Sequence, residues 1–298
     1  MTDLPLARYL HEASCGGGVD FHLHSHYSDG AQSPLDLVRE VMAKRLKAFS
    51  LTDHDSMAGV PALRFALHEL GARARFVPGV ECSARFQGQE IHLLGYFSED
   101  QPPAMMDYLE EVVLERQERN LRMIRRLNQL GYAIRAGDLT EPGGEARIHG
   151  RVHMALWLVE HAGFPSIASA FGELLNEGRP AFVPRKRREV EEVAGVIGQA
   201  GGVAVLAHPQ QYGWCGHPSD PDAGQVLNRC FAAVRDQGVG GIECFHGQAT
   251  PRESRMMRAA ASGLDMICTA GSDSHGRGDD QHASMYGLES VFLPIPLS

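Results

Sequence analysis

From residue 19 onward, short apolar runs alternate with longer amphipathic stretches. Apolar runs of four to six residues with polar flanks predict strands over residues 19–24, 48–51, 76–80 and 91–96. Between them, Ser33-Pro34 opens a helix as N-cap and first helical residue, with Leu35, Val38, Met42 and Leu46 on one face. A second helix covers residues 61–70 and stops at Gly71. The alternation breaks over residues 99–180. There a single helical pattern, residues 105–130, carries Leu109, Val112, Leu121, Ile124 and Leu127, and shorter helices cover 153–161 and 167–176. Alternation resumes with helices over 189–199, 225–237 and 251–262 and strands over 203–206, 241–244 and 266–270, and a last apolar run lies at 287–293. Strand–helix alternation predicts a parallel α/β sheet or barrel. The predicted organisation is a barrel in two parts, residues 1–98 and 183–298, split by a helical insertion at 99–182. Residues 1–18 read as a loose lead-in, with Gly16-Gly17-Gly18 as a joint.

The chain has 298 residues, 43% hydrophobic and 22% charged, values ordinary for a globular protein with a full core. Its net charge of −9 argues against binding duplex DNA through an overall field and favours a small nucleotide or a short oligonucleotide. Six cysteines without a CxxC pair predict a reducing, cytoplasmic setting. The N-terminal residues show no basic leader, and no apolar stretch has membrane-spanning length, so no membrane partner is expected.

The pattern gains chemistry at the strand ends. His22 and His24 lie two apart on a strand, so both imidazoles face one point. Thr52-Asp53-His54-Asp55, Glu81, His92, His208 and Asp273-Ser274-His275 fall at or near other strand ends, where barrels and open α/β sheets place their sites. Imidazole and carboxylate without thiolate suit Mn²⁺, Fe²⁺ or Zn²⁺. Eight or nine such groups exceed the needs of one ion and point to two or three, with Mn²⁺ first choice. Such a cluster generates a hydroxide nucleophile from water and clamps both oxygens of an in-line phosphoryl displacement. Asp53 reads as an orienting or turn-capping group, and His26 as lying past the strand end. His208, His246 and Asp55 are the candidate catalytic residues, the two histidines as leaving-group acids.

The ordered motifs around His22-Leu23-His24, Leu51-Thr52-Asp53-His54-Asp55, Gly79-Val80-Glu81-Cys82-Ser83, Ile91-His92-Leu93-Leu94-Gly95-Tyr96, Ala207-His208-Pro209 and Gly271-Ser272-Asp273-Ser274-His275 resemble those of the polymerase and histidinol phosphatase (PHP) family. Within it the chain is most similar to the bacterial 3′,5′-nucleoside bisphosphate phosphatases and 5′→3′ oligoribonucleases. The resemblance implies a distorted (β/α)₇ barrel with a trinuclear metal site. It assigns His22, His24 and Asp273 to a first ion and His92 and His208 to a second, with Glu81 bridging the two. It gives His54 and His275 to a third ion. Asp29 stands where many family members have histidine, which makes that site harder. An Arg-x-His element of the insert in the similar enzymes implies Arg151 and His153 as phosphate contacts, with Arg179 a further candidate; Arg147 and His149 lie in the same stretch. A histidinol-phosphate or other small-metabolite phosphatase, and a non-catalytic metal-binding module, remain as alternatives.

Overall fold

The protein is described by a computed structural model covering residues 5–139 and 150–276. The run at 287–293, Arg147 and His149 lie outside the described residues. Seven strands form one sheet in chain order: β1 (Val19–Leu23), β2 (Ala48–Leu51), β3 (Arg75–Phe86), β4 (Gln89–Tyr96), β5 (Val203–Leu206), β6 (Gly241–His246) and β7 (Ile267–Gly271). The sheet curls into a nearly closed barrel. The first unit of the chain, Met1–Asp107 with Arg187–Ser298, contains this barrel, and the second is Tyr108–Lys186.

One strand departs from the all-parallel expectation: β4 runs antiparallel to both neighbours, β3 and β5. The cause is local. Gln87 and Gly88 both have positive φ, as a tight two-residue hairpin turn requires, so β3 turns straight into β4 without a crossover helix. The start of β4 therefore lies on the same rim as the C-terminal ends of the parallel strands.

The described part of residues 1–18 is not a loose lead-in. Leu6–Gly16 forms a helix, α1, with Leu10 fully buried. Leu6, Tyr9, Leu10 and Ala13 recur at helical spacing, but a stripe of so few turns is marginal by itself and tertiary contacts hold it. Ser14 Oγ accepts the Ala270 N–H at 3.1 Å and His11 Nδ1 accepts the Cys268 N–H at 2.9 Å. Helix α1 thus covers the edge of β7 that regular pairing leaves open. The rest of the seam is closed between β1 and the end of β7: Asp20 Oδ1 accepts the Ser272 N–H at 2.9 Å, Asp273 N–H donates to His22 O at 2.9 Å, and His24 N–H donates to Ser274 O at 3.0 Å.

The remaining barrel helices are α2 (Pro34–Ala43), α3 (Val60–Glu69), α7 (Val190–Gln199), α8 (Ala223–Asp236) and α9 (Pro251–Gly263). Helix α2 has its expected cap, Ser33 Oγ accepting the Asp36 N–H.

The second unit holds most of α4 (Pro103–Gln129), with α5 (Arg151–Ala162) and α6 (Ile167–Ala170). The single helix expected over 167–176 ends at Ala170 and continues as a wider π turn, Phe171–Leu175. Met123, Leu127, Ile134, Met154, Leu158 and Leu175 are buried together as its core. Among the described residues no helix is long and apolar enough to cross a membrane.

Candidate metal centre

The barrel rim gathers side chains from every strand. His22 and His24 come from β1 and its end, His54 follows β2, Glu81 lies in β3 and His92 near the start of β4. His208 follows β5, Glu243 and His246 lie in β6, and Asp273 and His275 follow β7. Three of the loop residues, Asp55, His208 and Asp273, have φ values of 49°, 31° and 60°. Non-glycine residues adopt this region at a cost of about 1–3 kcal/mol each, and it clusters where a site dictates side-chain direction.

Glu81 is the hub. Its Oε1 lies 2.8 Å from His92 Nδ1 and 3.1 Å from His208 Nε2. Its Oε2 lies 3.0 Å from His54 Nδ1, 3.3 Å from His24 Nε2 and 3.4 Å from His22 Nε2. Five imidazoles therefore surround one carboxylate that is 1% exposed. Asp273 Oδ1 stands 3.2 Å from His24 Nε2 and 3.5 Å from His22 Nε2. On the outer side Asp29 approaches His275 Nε2 at 3.2 Å, with His24 and His54 each at 3.9 Å. Among the described residues the ligand-type atoms fall into four compact groups: His22, His24, Glu81 and Asp273; His24, Asp29, His54 and His275; His54, Glu81 and His92; and His22, Glu243 and His246.

Polar bonding within the protein does not satisfy this cluster. His22 Nε2, both ring nitrogens of His24, Glu81 Oε2 and His208 Nδ1 are buried without a hydrogen-bond partner. Leaving so many polar atoms unbonded costs about 1–3 kcal/mol each, so a native site needs a reason for them. The charge balance supplies one. Burial disfavours a charged His24, but the nearby Asp273 and Glu81 carboxylates outweigh it and raise its pKa to about 10. Burial likewise opposes the charge on His22, yet Glu243, Glu81 and Asp273 raise its pKa well above the ordinary value. Burial acts to raise the pKa of Glu81, but His54, His92 and His22 hold it well below the carboxylate range. Asp273, similarly buried, is held low by His22, His24 and His246. A nest of buried anions that attracts positive charge, with inward ring nitrogens of no other use, fits divalent cations.

Supporting groups fix the ligands. Asp53 is buried; its Oδ1 accepts from Ser25 N–H at 2.8 Å and Ser28 Oγ at 2.6 Å, and its Oδ2 from Ser25 Oγ at 2.7 Å. It ties down the loop after β1 rather than entering the cluster. His275 Nδ1–H donates to Asp273 O at 2.9 Å, which leaves Nε2 facing Asp29. His92 N–H donates to Tyr212 Oη at 2.8 Å, and the Tyr212 ring lies against His208. Asp55 stands outside the groups; its Oδ1 accepts the Ser83 N–H at 3.4 Å. His26 does too, with its ring beside Tyr27.

Glu243 was not read from the sequence. Its Oε1 pairs with His22 Nδ1 at 2.9 Å and its Oε2 accepts the His208 N–H at 2.8 Å. It therefore sets the His22 tautomer, with Nδ1 protonated and Nε2 free to face Glu81 and Asp273. The available signal was a charged residue inside the apolar strand Gly241–His246, for which a buried charge needs a partner. Gly271 makes room for this contact, since a Cβ there would lie 2.3 Å from His22 Cβ and 2.5 Å from Glu243 Oε1. The substitution Glu243→Gln is expected to weaken metal binding by about 10–100-fold with the fold retained. Titration calorimetry with Mn²⁺ beside a circular dichroism spectrum checks this.

His246 is fully buried, with Nε2 3.7 Å from Asp273 Oδ2. Its Nδ1 accepts the Gln248 N–H at 3.1 Å, so the neutral ring carries its proton on Nε2.

In the second unit Arg151 opens α5 rather than lying in a connecting loop. Its guanidinium lies over the rings of Phe171 and Phe182, at 5.5 and 5.8 Å. His153 Nδ1 accepts the Gly150 N–H at 3.1 Å. Arg179 is exposed. Arg119, whose Nε donates to Val183 O, has its pKa lowered to about 10 by burial and by the neighbouring charges of Arg151, Arg185, Arg116 and Arg122. That is a local concentration of positive charge in a chain of net negative charge.

The sequence profile of the PHP domain matches residues 20–239. The 5′-3′ exoribonuclease Rnm of Salmonella typhimurium is 32% identical over 257 residues, covering 86% of this chain and 84% of its own. The 3′,5′-nucleoside bisphosphate phosphatase of Chromobacterium violaceum is 28% identical over 262 residues, with 88% of each chain covered. Among solved structures, that of an amidohydrolase from Chromobacterium violaceum with bound sulfate and no metal has a TM-score of 0.69 at 25% identity, over 90% of this chain and 92% of its own.

Proposed function

Because the chain belongs to the PHP domain family, we propose that it is a metal-dependent phosphoesterase that hydrolyses phosphate esters of nucleotides. The observation that carries this reading is Glu81, with imidazoles of His22, His24, His54, His92 and His208 around its two oxygens and several of the inward atoms unbonded. His22, His24, Glu81 and Asp273 would hold one divalent ion, and Glu81, His92 and His208 a second. Asp29, His54 and His275 would hold a third, with Mn²⁺ the ion we favour. Bound there, such ions acidify water at neutral pH and place positive charge beside the phosphoryl oxygens.

The chain's own residues do the rest. Glu243 and the His275–Asp273 contact engage Nδ1 of His22 and His275, so that Nε2 is the ring nitrogen aimed into the cluster. His246 presents a proton on Nε2 and is the group we assign to protonate the leaving oxygen. His208 is the second candidate for that proton; burial lowers its pKa, which suits it better to a neutral ligand role. Asp55, read from the sequence as a candidate catalytic residue, we assign instead to positioning the loop through its contact with Ser83 N–H.

The substrate follows from the relatives and from charge. The relatives' names specify an exoribonuclease and a nucleoside bisphosphate phosphatase. A net charge of −9 favours a short anion held by a few cationic groups over a long polyanion. We assign Arg151, His153 and Arg179 to the substrate phosphates, because the planar guanidinium fork donates two hydrogen bonds to one phosphate. No disulfide joins the six cysteines, as in a reducing cytoplasm, where we place the protein.

An activity screen with Mn²⁺ tests the assignment, using adenosine 3′,5′-bisphosphate, a short 5′-phosphorylated RNA and histidinol phosphate. The expected result is turnover of the nucleotide substrates at least ~10²-fold faster than of histidinol phosphate. Preference for histidinol phosphate would overturn the substrate class, and no turnover of any ester would overturn the enzyme reading.

A further inference from the structure

Away from the histidine–carboxylate cluster, β6 and β7 hold a second pair of reactive groups. Cys244 and Cys268 are both buried, with their sulfurs 3.1 Å apart and the Cys244 S–H placed to donate to Cys268. The strands are parallel neighbours whose register slips between Glu243 and Phe245, and Cys244 is the residue left unmatched by that slip. The slip shortens β6 relative to β7 and draws Cys244 back toward the level of Cys268. Two groups of α1 attend the pair: His11 Nδ1 accepts the Cys268 N–H, and Cys15 Sγ lies 3.8 Å from His11 Nε2. The two thiols differ in character. The hydrogen bond from Cys244, with His11 and Arg258 nearby, lowers the Cys268 pKa to about 6 against the effect of burial. Burial and the neighbouring Cys268 push Cys244 well up. Of the two sulfurs, Cys268 is thus the better placed to attack, and Cys244, which holds the proton between them, to resolve.

We propose that Cys244 and Cys268 form an oxidisable dithiol, a modification site that closes to a disulfide under an oxidant of the peroxide class. The Cys268 thiolate attacks a peroxide oxygen and the O–O bond breaks. Cys268 becomes a sulfenic acid, and the hydroxide released takes a proton to become water. The Cys244 sulfur then attacks the Cys268 sulfur. The S–O bond breaks, the departing hydroxide leaves with the Cys244 proton as a second water, and the S–S bond forms. The dithiol loses two electrons and two protons, and one hydrogen peroxide is reduced to two waters. Closure requires the sulfurs to approach by about 1 Å, from 3.1 Å to the ~2.05 Å of a disulfide.

The test treats the folded full-length protein with hydrogen peroxide, blocks the remaining thiols and maps peptides by mass spectrometry. The expected product is a cross-linked Cys244–Cys268 peptide pair lighter by two hydrogens and reopened by dithiothreitol. In Cys244→Ser the same treatment should leave Cys268 as a sulfenic acid trapped by dimedone. The map of the unmutated protein decides the matter even where a variant does not fold. The proposal is overturned if the pair stays reduced while the partly exposed Cys15 and Cys230 oxidise, or if Cys268 pairs with Cys15 instead.

Discussion

Replacing Glu81 with alanine is expected to reduce phosphate-ester hydrolysis by at least ~10³-fold, beyond the ~10–100-fold typical of an outer supporting group. Both oxygens of this carboxylate are engaged: His92 and His208 meet Oε1, while His22, His24 and His54 meet Oε2. Its loss would take a ligand from both of the ions proposed to bind there. It also takes away the one carboxylate that all five imidazoles share, so the variant should bind less than half the metal of the unmutated protein. His24→Ala and Asp273→Ala should abolish hydrolysis in the same way, because each belongs to the same four-residue group. The measurements are kcat/KM, metal content by plasma mass spectrometry and a circular dichroism spectrum showing the fold intact. Full metal content together with full activity in Glu81→Ala would remove the basis for the assignment.

Stripping the metal has the second largest expected effect. Chelation should abolish hydrolysis, and added Mn²⁺ should restore it. Mn²⁺ at about 100 times its dissociation constant should stabilise the fold by ~2.7 kcal/mol, a rise in Tm of about 5–10 °C for a domain of this size. The effect has a pH sign. His24 has its folded pKa raised to about 10, and those of His22 and His54 are raised as well. In the metal-free protein the stability gained by protonating His24 is present in full below about pH 6.5 and is lost as pH rises toward 10. An ion must displace those same protons, so Mn²⁺ binds more tightly as pH rises and the thermal gap between loaded and stripped protein widens. Melting curves with and without Mn²⁺ at about pH 6 and about pH 8 measure it; a gap that narrows with pH would contradict the cluster chemistry.

Where local rules govern, the sequence was readable. The His22/His24 pair follows from strand periodicity alone, and the Ser33 cap and the strand–helix alternation follow from local propensity and pattern. Partners that meet only in the fold were hidden. Glu243 lies 221 residues from His22, and nothing beside it in the chain marks a carboxylate as the one that orients a ligand. Helix α1 was legible in the spacing of Leu6, Tyr9, Leu10 and Ala13, although we read it as a lead-in; its docking on the β7 edge through His11 and Ser14 was not legible. The reversal of β4 depended on the conformation of Gln87 and Gly88, and a Gln-Gly turn is a weaker signal than Asn-Gly. The Asp53 role, by contrast, was within reach: a carboxylate beside a ligand, tying down the preceding loop.

The seam between β1 and β7 also bears on the order of events during assembly. Asp20 meets Ser272 across 252 residues of chain, and His22 and His24 share their innermost group with Asp273. A chain still emerging during synthesis carries the first two histidines long before their partners exist. Closing so wide a loop costs little more than closing a moderate one, about 0.6 kcal/mol per doubling of length, but it makes the final contacts late and the folding slow. The barrel's last strand therefore completes the site: His54, Glu81 and His92 come from the first third of the chain, but the groups that need Asp273 or His275 form only once β7 is in place.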